Sequence, residues 1–272
     1  MVVKLKNKNV METKKVKKSE SEIYQRIDDI SEDFLFLVVG HALRGIIGHD
    51  RKDIWMTIKT FATVFQSVPK DKRPALLLKT SSAGFSYMER DMIQQKIDDI
   101  LKPFGIKCPS VYLLYGDLSD SDMASVYHHP KVKAMVSFTK GEGYGRPLAE
   151  FALTGKPIIV SNWSAQTEFL PKENTVFLDG TLIPVHPSVA DQFLMKESQW
   201  FSVNYSMAGS KMYDVYKNYN IYLEKSKGLR SNMLKNFTLD KMHELFTKIL
   251  SENVKEKPKV VPFTLPKLNK IS

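Results

Sequence analysis

Short apolar runs without alternation, separated by amphipathic segments, constrain this chain more than any other feature of its sequence. The first run, "DFLFLVVG" at 33 to 40, has no polar face, as expected of a strand covered on both sides by other elements. A helical stripe follows, in which Ile54, Ile58, Phe61, Phe65 and Val68 recur at spacings of four and three. "ALLLKT" (75 to 80), "SVYLLYG" (110 to 116), "KAMVSF" (133 to 138), "KPIIVSN" (156 to 162) and "NTVFLDG" (174 to 180) repeat the strand pattern. Ile93, Ile97, Ile100 and Leu101 mark a second helix, and shorter helical patterns lie at 120 to 128, 147 to 154 and 164 to 170. Strand and helix in alternation predict an α/β fold, a doubly wound, mainly parallel Rossmann-like sheet of about six strands. In such sheets ligands sit outside the carboxyl ends of the strands.

Past residue 188 the strand signal stops. "SKMYDVYKNYNIYLEKSKG" and "TLDKMHELFTKILSE" read as helices, the second capped by Thr238 and striped by Met242, Leu245, Phe246 and Ile249. "EKPKVVPFTLPKL" has three prolines and no period, so an extended tail is expected. The organisation predicted is a basic, flexible or helical segment over 1–30, one Rossmann-like domain with C-terminal helices over 31–255, and a tail over 256–272. The net charge of +10 is concentrated in Lys4, Lys6, Lys8, Lys14, Lys15, Lys17 and Lys18 and again near the other end. Such arms are either solvated tails or contacts for a polyanion, nucleic acid or an anionic membrane surface. Cys108 is the single cysteine, which excludes an intramolecular disulfide. No apolar run of about 18 residues is present to span a bilayer. A soluble, cytoplasmic protein is the expectation.

The stretch "KGEGYGRPLAEFALTGKP" (140 to 157) follows the strand "AMVSF" and carries three alternating glycines. A dinucleotide fingerprint needs glycines at positions one, three and six; here position six is Arg146, so the fingerprint fails. No Gly-Lys-Ser/Thr ending of a Walker A loop is present. What remains is a turn that lets the backbone approach a ligand, leading into a helix read as starting at Pro147, whose free N–H groups suit an anion. Glu142 and Glu150 flank that turn. Two carboxylates that accept from hydroxyls, on either side of an anion site, fit a ligand with diols on both sides of a phosphate, such as a nucleotide sugar. Glu150 standing alone would read as an ordinary helix-face glutamate.

It does not stand alone. "EGYGRPLAEFALTGKPIIVSN" resembles the glutamate, seven residues, glutamate motif of retaining glycosyltransferases of the GT-B fold, family 4 (group 1) above all, with Phe151 where alanine is usual. The resemblance covers about residues 33 to 180 as the donor-binding C-terminal domain, with "YGDLSDSDMASVY", including Leu118, resembling the turn and helix beside the nucleobase. It implies a retaining transfer from a nucleotide-diphosphate sugar, UDP-sugar as the leading donor, with no further cofactor and no metal. Residue by residue, it implies that Glu142 binds donor-sugar hydroxyls, Glu150 binds the ribose, and the backbone of Gly143, Tyr144, Gly145 and Arg146 faces sugar and diphosphate. The family places an arginine after the first strand and a lysine further on, both on the diphosphate. Here the lysine corresponds to Lys52, but His41 stands at the arginine position, and Arg44 or Arg51 is expected to substitute. Lys79, closing the second strand, is a further phosphate candidate or a strand-end surface lysine.

On this reading Glu142, Lys52 and Arg44 serve catalysis, the bases stabilising charge that grows on the leaving diphosphate. "DSD" at 120 to 122 resembles a metal-binding Asp-x-Asp, but Asp120 or Ser121 as a cap and Asp122 as a first-turn charge explain it better. His128 and His129, before Pro130, read as a helix C-terminus or as a metal pair, and "QWFSVNYSM" around Trp200 as packing or a base-stacking surface. A full GT-B enzyme has two such domains, so the acceptor domain is expected on a partner chain or another copy, in reduced form, or outside the given sequence. Saccharide, lipid-linked, protein and modified phage DNA acceptors all remain open. Two non-enzymatic alternatives stand beside the transferase: a nucleotide-sugar-binding subunit for a partner, and a nucleic-acid-binding module.

Overall fold

The computed structural model describes residues 2–4, 22–42, 45–82 and 84–254. In chain order the strands are β1 (Val2–Lys4), β2 (Leu35–Val39), β3 (Ala75–Lys79), β4 (Val111–Leu114), β5 (Val132–Ser137), β6 (Ile158–Ser161), β7 (Val176–Leu178), β8 (Gly180–Pro184) and β9 (Gln199–Val203). The α-helices are α1 (Glu22–Asp28), α2 (Ile54–Phe65), α3 (Tyr87–Leu101), α4 (Asp120–His128), α5 (Arg146–Ala152), α6 (Gln166–Phe169), α7 (Tyr205–Lys217), α8 (Tyr219–Asn236) and α9 (Leu239–Asn253). Two compact units result, residues 1–235 and residues 236–272.

In the first unit a seven-stranded sheet runs in the order β1-β4-β3-β2-β5-β6-β7. The six strands read from the sequence are β2 to β7, and every pairing among them is parallel. β2 shows why its run lacks alternation. Phe36 and Val38 join a core with Ile58, Phe61 and Phe65 of α2 and Ile97 of α3. Leu35 and Leu37 join a second core with Ile27 of α1, Val126 of α4 and Phe151 of α5. Each such side chain contributes roughly 1.5–3 kcal/mol of burial, an upper figure because the unfolded chain already hides part of its surface. Strand order reverses between β2 and β3 on one side and β5 on the other, so the loops after β2 and β5 open onto one crevice.

Several expectations need correction. Val2–Lys4, placed in the flexible or helical segment, form an edge strand antiparallel to β4; two β-branched valines suit one. The helical part of that segment is α1, and residues 5–21 lie outside the described residues, as does the 256–272 tail. The strand signal does not end at 188: β8 and β9 form an antiparallel hairpin, with Leu182 opposite Phe201 and Ile183 opposite Trp200. The long helix over 210 to 228 is two helices, broken at Asn218, the residue that closes α7. Ser119, not Asp120 or Ser121, caps α4 by accepting from the Asp122 N–H at 3.1 Å. α5 starts at Arg146, one residue before Pro147, with Gly145 at its N-cap in the left-handed region (φ 87°).

The second unit contains α9, capped by Thr238 as predicted, whose Oγ1 accepts from the Lys241 N–H at 3.3 Å. Its stripe residues Met242, Leu245, Phe246 and Ile249 are exposed.

α7 lies close against α2 because Gly209 has no side chain: a Cβ there would sit 2.5 Å from Cγ2 of Val64. Gly209→Ala should therefore lose stability although alanine is the better helix former, overpacking of about 1–3 kcal/mol outweighing a propensity gain of about 1 kcal/mol. Urea unfolding of the variant against the parent checks this.

Candidate functional site

The loop after β2 and the opening of α2 carry the sequence "HDRKD", residues 49 to 53, and its side chains divide in two directions. Arg51 and Lys52 reach the loop after β5. Lys52 Nζ lies 2.5 Å from Glu142 Oε1, which also accepts from Thr139 Oγ1 at 2.7 Å. Arg51 Nη1 donates to the carbonyl of Gly141 at 2.8 Å and stands 3.4 Å from Glu142 Oε2. Burial pushes the Glu142 carboxyl up, but Lys52, Thr139 and Arg51 outweigh it, and the group ends below the usual carboxylate range. Burial likewise lowers Lys52, against the opposing pull of Glu142.

Asp50 and Asp53 turn inward. Asp50 Oδ2 accepts from the Ile54 N–H at 3.2 Å and so caps α2. Asp53 has the left-handed backbone (φ 51°) and sends its carboxylate to Lys140 Nζ at 2.9 Å and to the Tyr205 hydroxyl at 2.7 Å. Lys140 is 1% exposed, yet its main chain also ties loops together: its N–H donates to the Arg51 carbonyl at 2.8 Å and its carbonyl accepts from Phe201 of β9 at 3.2 Å. One residue thus pins the loop after β5 to the loop before α2 and to the hairpin. Sequence reasoning missed Lys140 and Asp53, because nothing in "TKGEG" distinguishes a buried lysine from a surface one.

A cavity of about 650 Å³ opens at the carboxyl ends of β2 and β3 and reaches α4 and α5. It collects six of the expected site residues, His41, Lys52, Lys79, Leu118, Arg146 and Glu150. Glu150 Oε2 accepts from the buried Tyr127 hydroxyl at 3.0 Å and Oε1 stands 3.1 Å from the exposed Arg146. Lys79 donates to the Gly116 carbonyl at 2.8 Å, and burial lowers its pKa. His41 Nδ1 stands 3.3 Å from Ser81 Oγ. Arg51, Glu142 and Gly143 line a second cavity, and the Lys52–Glu142 contact joins the two walls. Tyr144 is half exposed against Phe169, with ring centroids 5.2 Å apart. Arg44 lies outside the described residues.

Other readings resolve locally. Asp122 Oδ2 accepts from Ser119 Oγ at 2.7 Å, within the cap of α4. His129 is buried at the C-cap of α4, 4.4 Å from the Tyr24 ring, while His128 lines the larger cavity. Trp200 is buried with Val185 and Val189, a packing role. Among the described residues no cluster of three or more histidine, cysteine, aspartate or glutamate side chains could hold a metal, and no helix is long and apolar enough to cross a membrane.

No family model matches the sequence, and no curated protein matches it. Solved structures do. A glycosyltransferase from Rickettsia africae ESF-5 matches with a TM-score of 0.60 at 13% identity, over 86% of this chain and 51% of its own. The C-terminal domain of a group 1 family glycosyl transferase (LpcC) from Francisella tularensis matches with a TM-score of 0.54 at 13% identity, over 80% of this chain and 92% of that domain. Anabaena Alr3699/HepE, in complex with UDP and glucose, matches with a TM-score of 0.54 at 10% identity, over 86% of this chain and 53% of its own. The chain thus spans about half the length of the Rickettsia and Anabaena proteins it resembles.

Lys140→Met leaves Asp53 as a buried, unpaired charge and should cost about 3–5 kcal/mol, measured by chemical unfolding. Asp50 is fully buried, and burial, then the like charge of Asp53, raises its pKa to about 6. The native state therefore holds a proton that the unfolded state releases near pH 4, so stability falls as pH rises from about 4 through about 6. Asp50→Asn keeps an acceptor for Ile54 and should flatten that part of the melting profile, gaining on the order of 2–3 kcal/mol relative to the parent by pH 7. Scanning calorimetry from pH 4 to 7 reads the difference.

In its six parallel strands and flanking helices, this chain has the Rossmann-like fold of one half of a GT-B glycosyltransferase.

Proposed function

We propose that this chain is the donor-binding half of a retaining glycosyltransferase that takes its sugar from a nucleotide-diphosphate sugar, UDP-sugar in the first instance. The observation that carries the reading is the Lys52–Glu142 pair, 2.5 Å apart, beside a cavity whose other wall carries Glu150. Glu150, oriented by Tyr127, accepts from ribose hydroxyls, and Leu118 and the start of α4 flank the base. Lys52 and Lys79 face the diphosphate, and Glu142 receives hydroxyls of the transferred sugar. The UDP bound to the Anabaena neighbour supports the choice of nucleotide.

In the transfer, the bond between the anomeric carbon and the β-phosphate oxygen loosens to an oxocarbenium-like state, and negative charge grows on the departing diphosphate. Lys52 is already desolvated and needs only to move from Glu142 to that oxygen to stabilise it, without a metal. The acceptor oxygen forms the new bond on the same face, and its proton passes to the departing phosphate. The remaining half of the cleft would come from a partner chain, a second copy or a further domain of a longer chain.

One observation favours a second reading, a non-catalytic nucleotide-sugar-binding subunit. His41 occupies the position where the resemblance expects an arginine, and Arg51 is engaged by the Gly141 carbonyl and Glu142. Thermal unfolding with UDP, GDP, ADP and their sugar conjugates tests both readings, since a ligand of the native state raises the midpoint, by about 2.7 kcal/mol of stabilisation at a hundred times its dissociation constant. The expected result is a shift with one base that Glu150→Ala reduces. Donor hydrolysis or transfer that Glu142→Ala abolishes selects the enzyme, and no shift with any nucleotide overturns both.

A further inference from the structure

The second cavity, of about 530 Å³, shares no lining residue with the first, yet Glu142 on its wall touches Lys52 on the wall of the other. Its distinguishing side chain is Trp163. The indole is 41% exposed, and it stacks on the buried Phe201 ring at an interplanar angle of 4° with centroids 5.7 Å apart. β9 thus supports one face of the indole from behind. The turn that presents it is unusual: Ser164 is a non-glycine residue at φ 73°. A left-handed serine costs on the order of 1 kcal/mol and persists only where its surroundings hold it. Here they do, because Ser164 Oγ accepts from the Glu142 N–H at 3.0 Å and donates to the Glu142 carbonyl at 2.6 Å. The same residue therefore fixes the main chain of Glu142 and sets the indole beside it.

Around this flat apolar surface stand the Arg51 guanidinium and the Gln199 amide, which together donate to and accept from neighbouring hydroxyls, with Glu142, the donor-sugar carboxylate, at the border toward the first cavity. An aromatic face bordered by a few polar groups is complementary to a pyranose, whose C–H face is apolar and whose edge carries hydroxyls. Charge argues against a nucleic acid here. Lys140 is committed to Asp53 and Arg51 stands against Glu142, so the cavity has no surplus cation for phosphates.

We propose that this second cavity is this half's part of the acceptor site and that its occupant is a saccharide, one pyranose ring of which stacks on Trp163. The assignment to the acceptor rests on the donor reading above, which puts the nucleotide and diphosphate on the far side of the Lys52–Glu142 contact. Trp163 is a binding residue that neither the glutamate motif nor its spacing indicates.

The full chain, with Trp163→Ala and Trp163→Phe variants, is titrated with the methyl glycosides of glucose, galactose, mannose and N-acetylglucosamine, followed by saturation-transfer NMR and tryptophan fluorescence. Titrations are run alone and with the nucleotide sugar from the thermal panel at saturation. At least one glycoside should bind the parent and remain bound with the donor present. Trp163→Ala should weaken it at least tenfold and Trp163→Phe by threefold or less, while the UDP-induced shift in melting midpoint stays unchanged in both. Failure of every glycoside to bind the parent, or equal binding by Trp163→Ala, overturns the proposal. Competition between glycoside and nucleotide sugar overturns the acceptor assignment and gives the stack to the donor's own sugar. Retention of duplex DNA on filters at low salt that Trp163→Ala abolishes, with glycosides inert, also overturns it and makes DNA the occupant. If no nucleotide shifts the parent but a glycoside binds through Trp163, the donor reading fails and the saccharide site stands.

Discussion

The buried pair of Lys140 and Asp53 holds the working end of this molecule together. A lysine and an aspartate with almost no exposure are tolerable only because each also has a hydroxyl partner, Tyr205, and because they are 2.9 Å apart. The pair sits where three loops meet, and its consequence is directional. With Asp50 and Asp53 drawn inward, Arg51 and Lys52 between them are turned outward onto Glu142. The cationic side of the crevice is thus oriented by charges that face away from it.

The sheet provides the platform on which that junction is built. Because β2, β3, β5 and β6 are covered on both faces, their carboxyl ends are fixed by two cores, and the loops leaving them have little freedom at their roots. Glu142 and Glu150 leave one such root. Glu142 is held by Lys52, Thr139 and Ser164, whereas Glu150, on the first turns of α5, is held by the buried Tyr127 hydroxyl and the exposed Arg146. The first carboxylate is therefore ionised in a preset ion cluster, and the second is open toward the larger cavity.

Legibility in the sequence followed the range of the interactions. The six parallel strands were readable because two-sided burial writes an unbroken apolar run, and α2, α3 and α4 because their stripes repeat within a few residues. The β8–β9 hairpin was not readable: Leu182 lies half exposed, and Phe201 is buried in the main core, with Trp163, far away in the chain, stacked on it. β1 escaped for the same reason, since a three-residue edge strand exists only by pairing with β4. In the site, Glu142, Lys52 and Glu150 were found through a motif, and His41, Lys79, Leu118 and Arg146 join them around one cavity. Lys140, Asp53, Tyr127 and Ser164, which hold those residues in place, carry no local mark.

The sequence by itself therefore determined the layered α/β architecture and the positions of the two glutamates, because periodicity and a short motif are properties of neighbouring residues. Only the tertiary structure decided that Lys52 pairs with Glu142, that Lys140 is buried rather than exposed, and that Trp163 is backed by Phe201 beside a second cavity. Those facts depend on contacts between residues 38 to 90 positions apart, and a side chain's partner at that distance is chosen by the packing of the sheet and its loops.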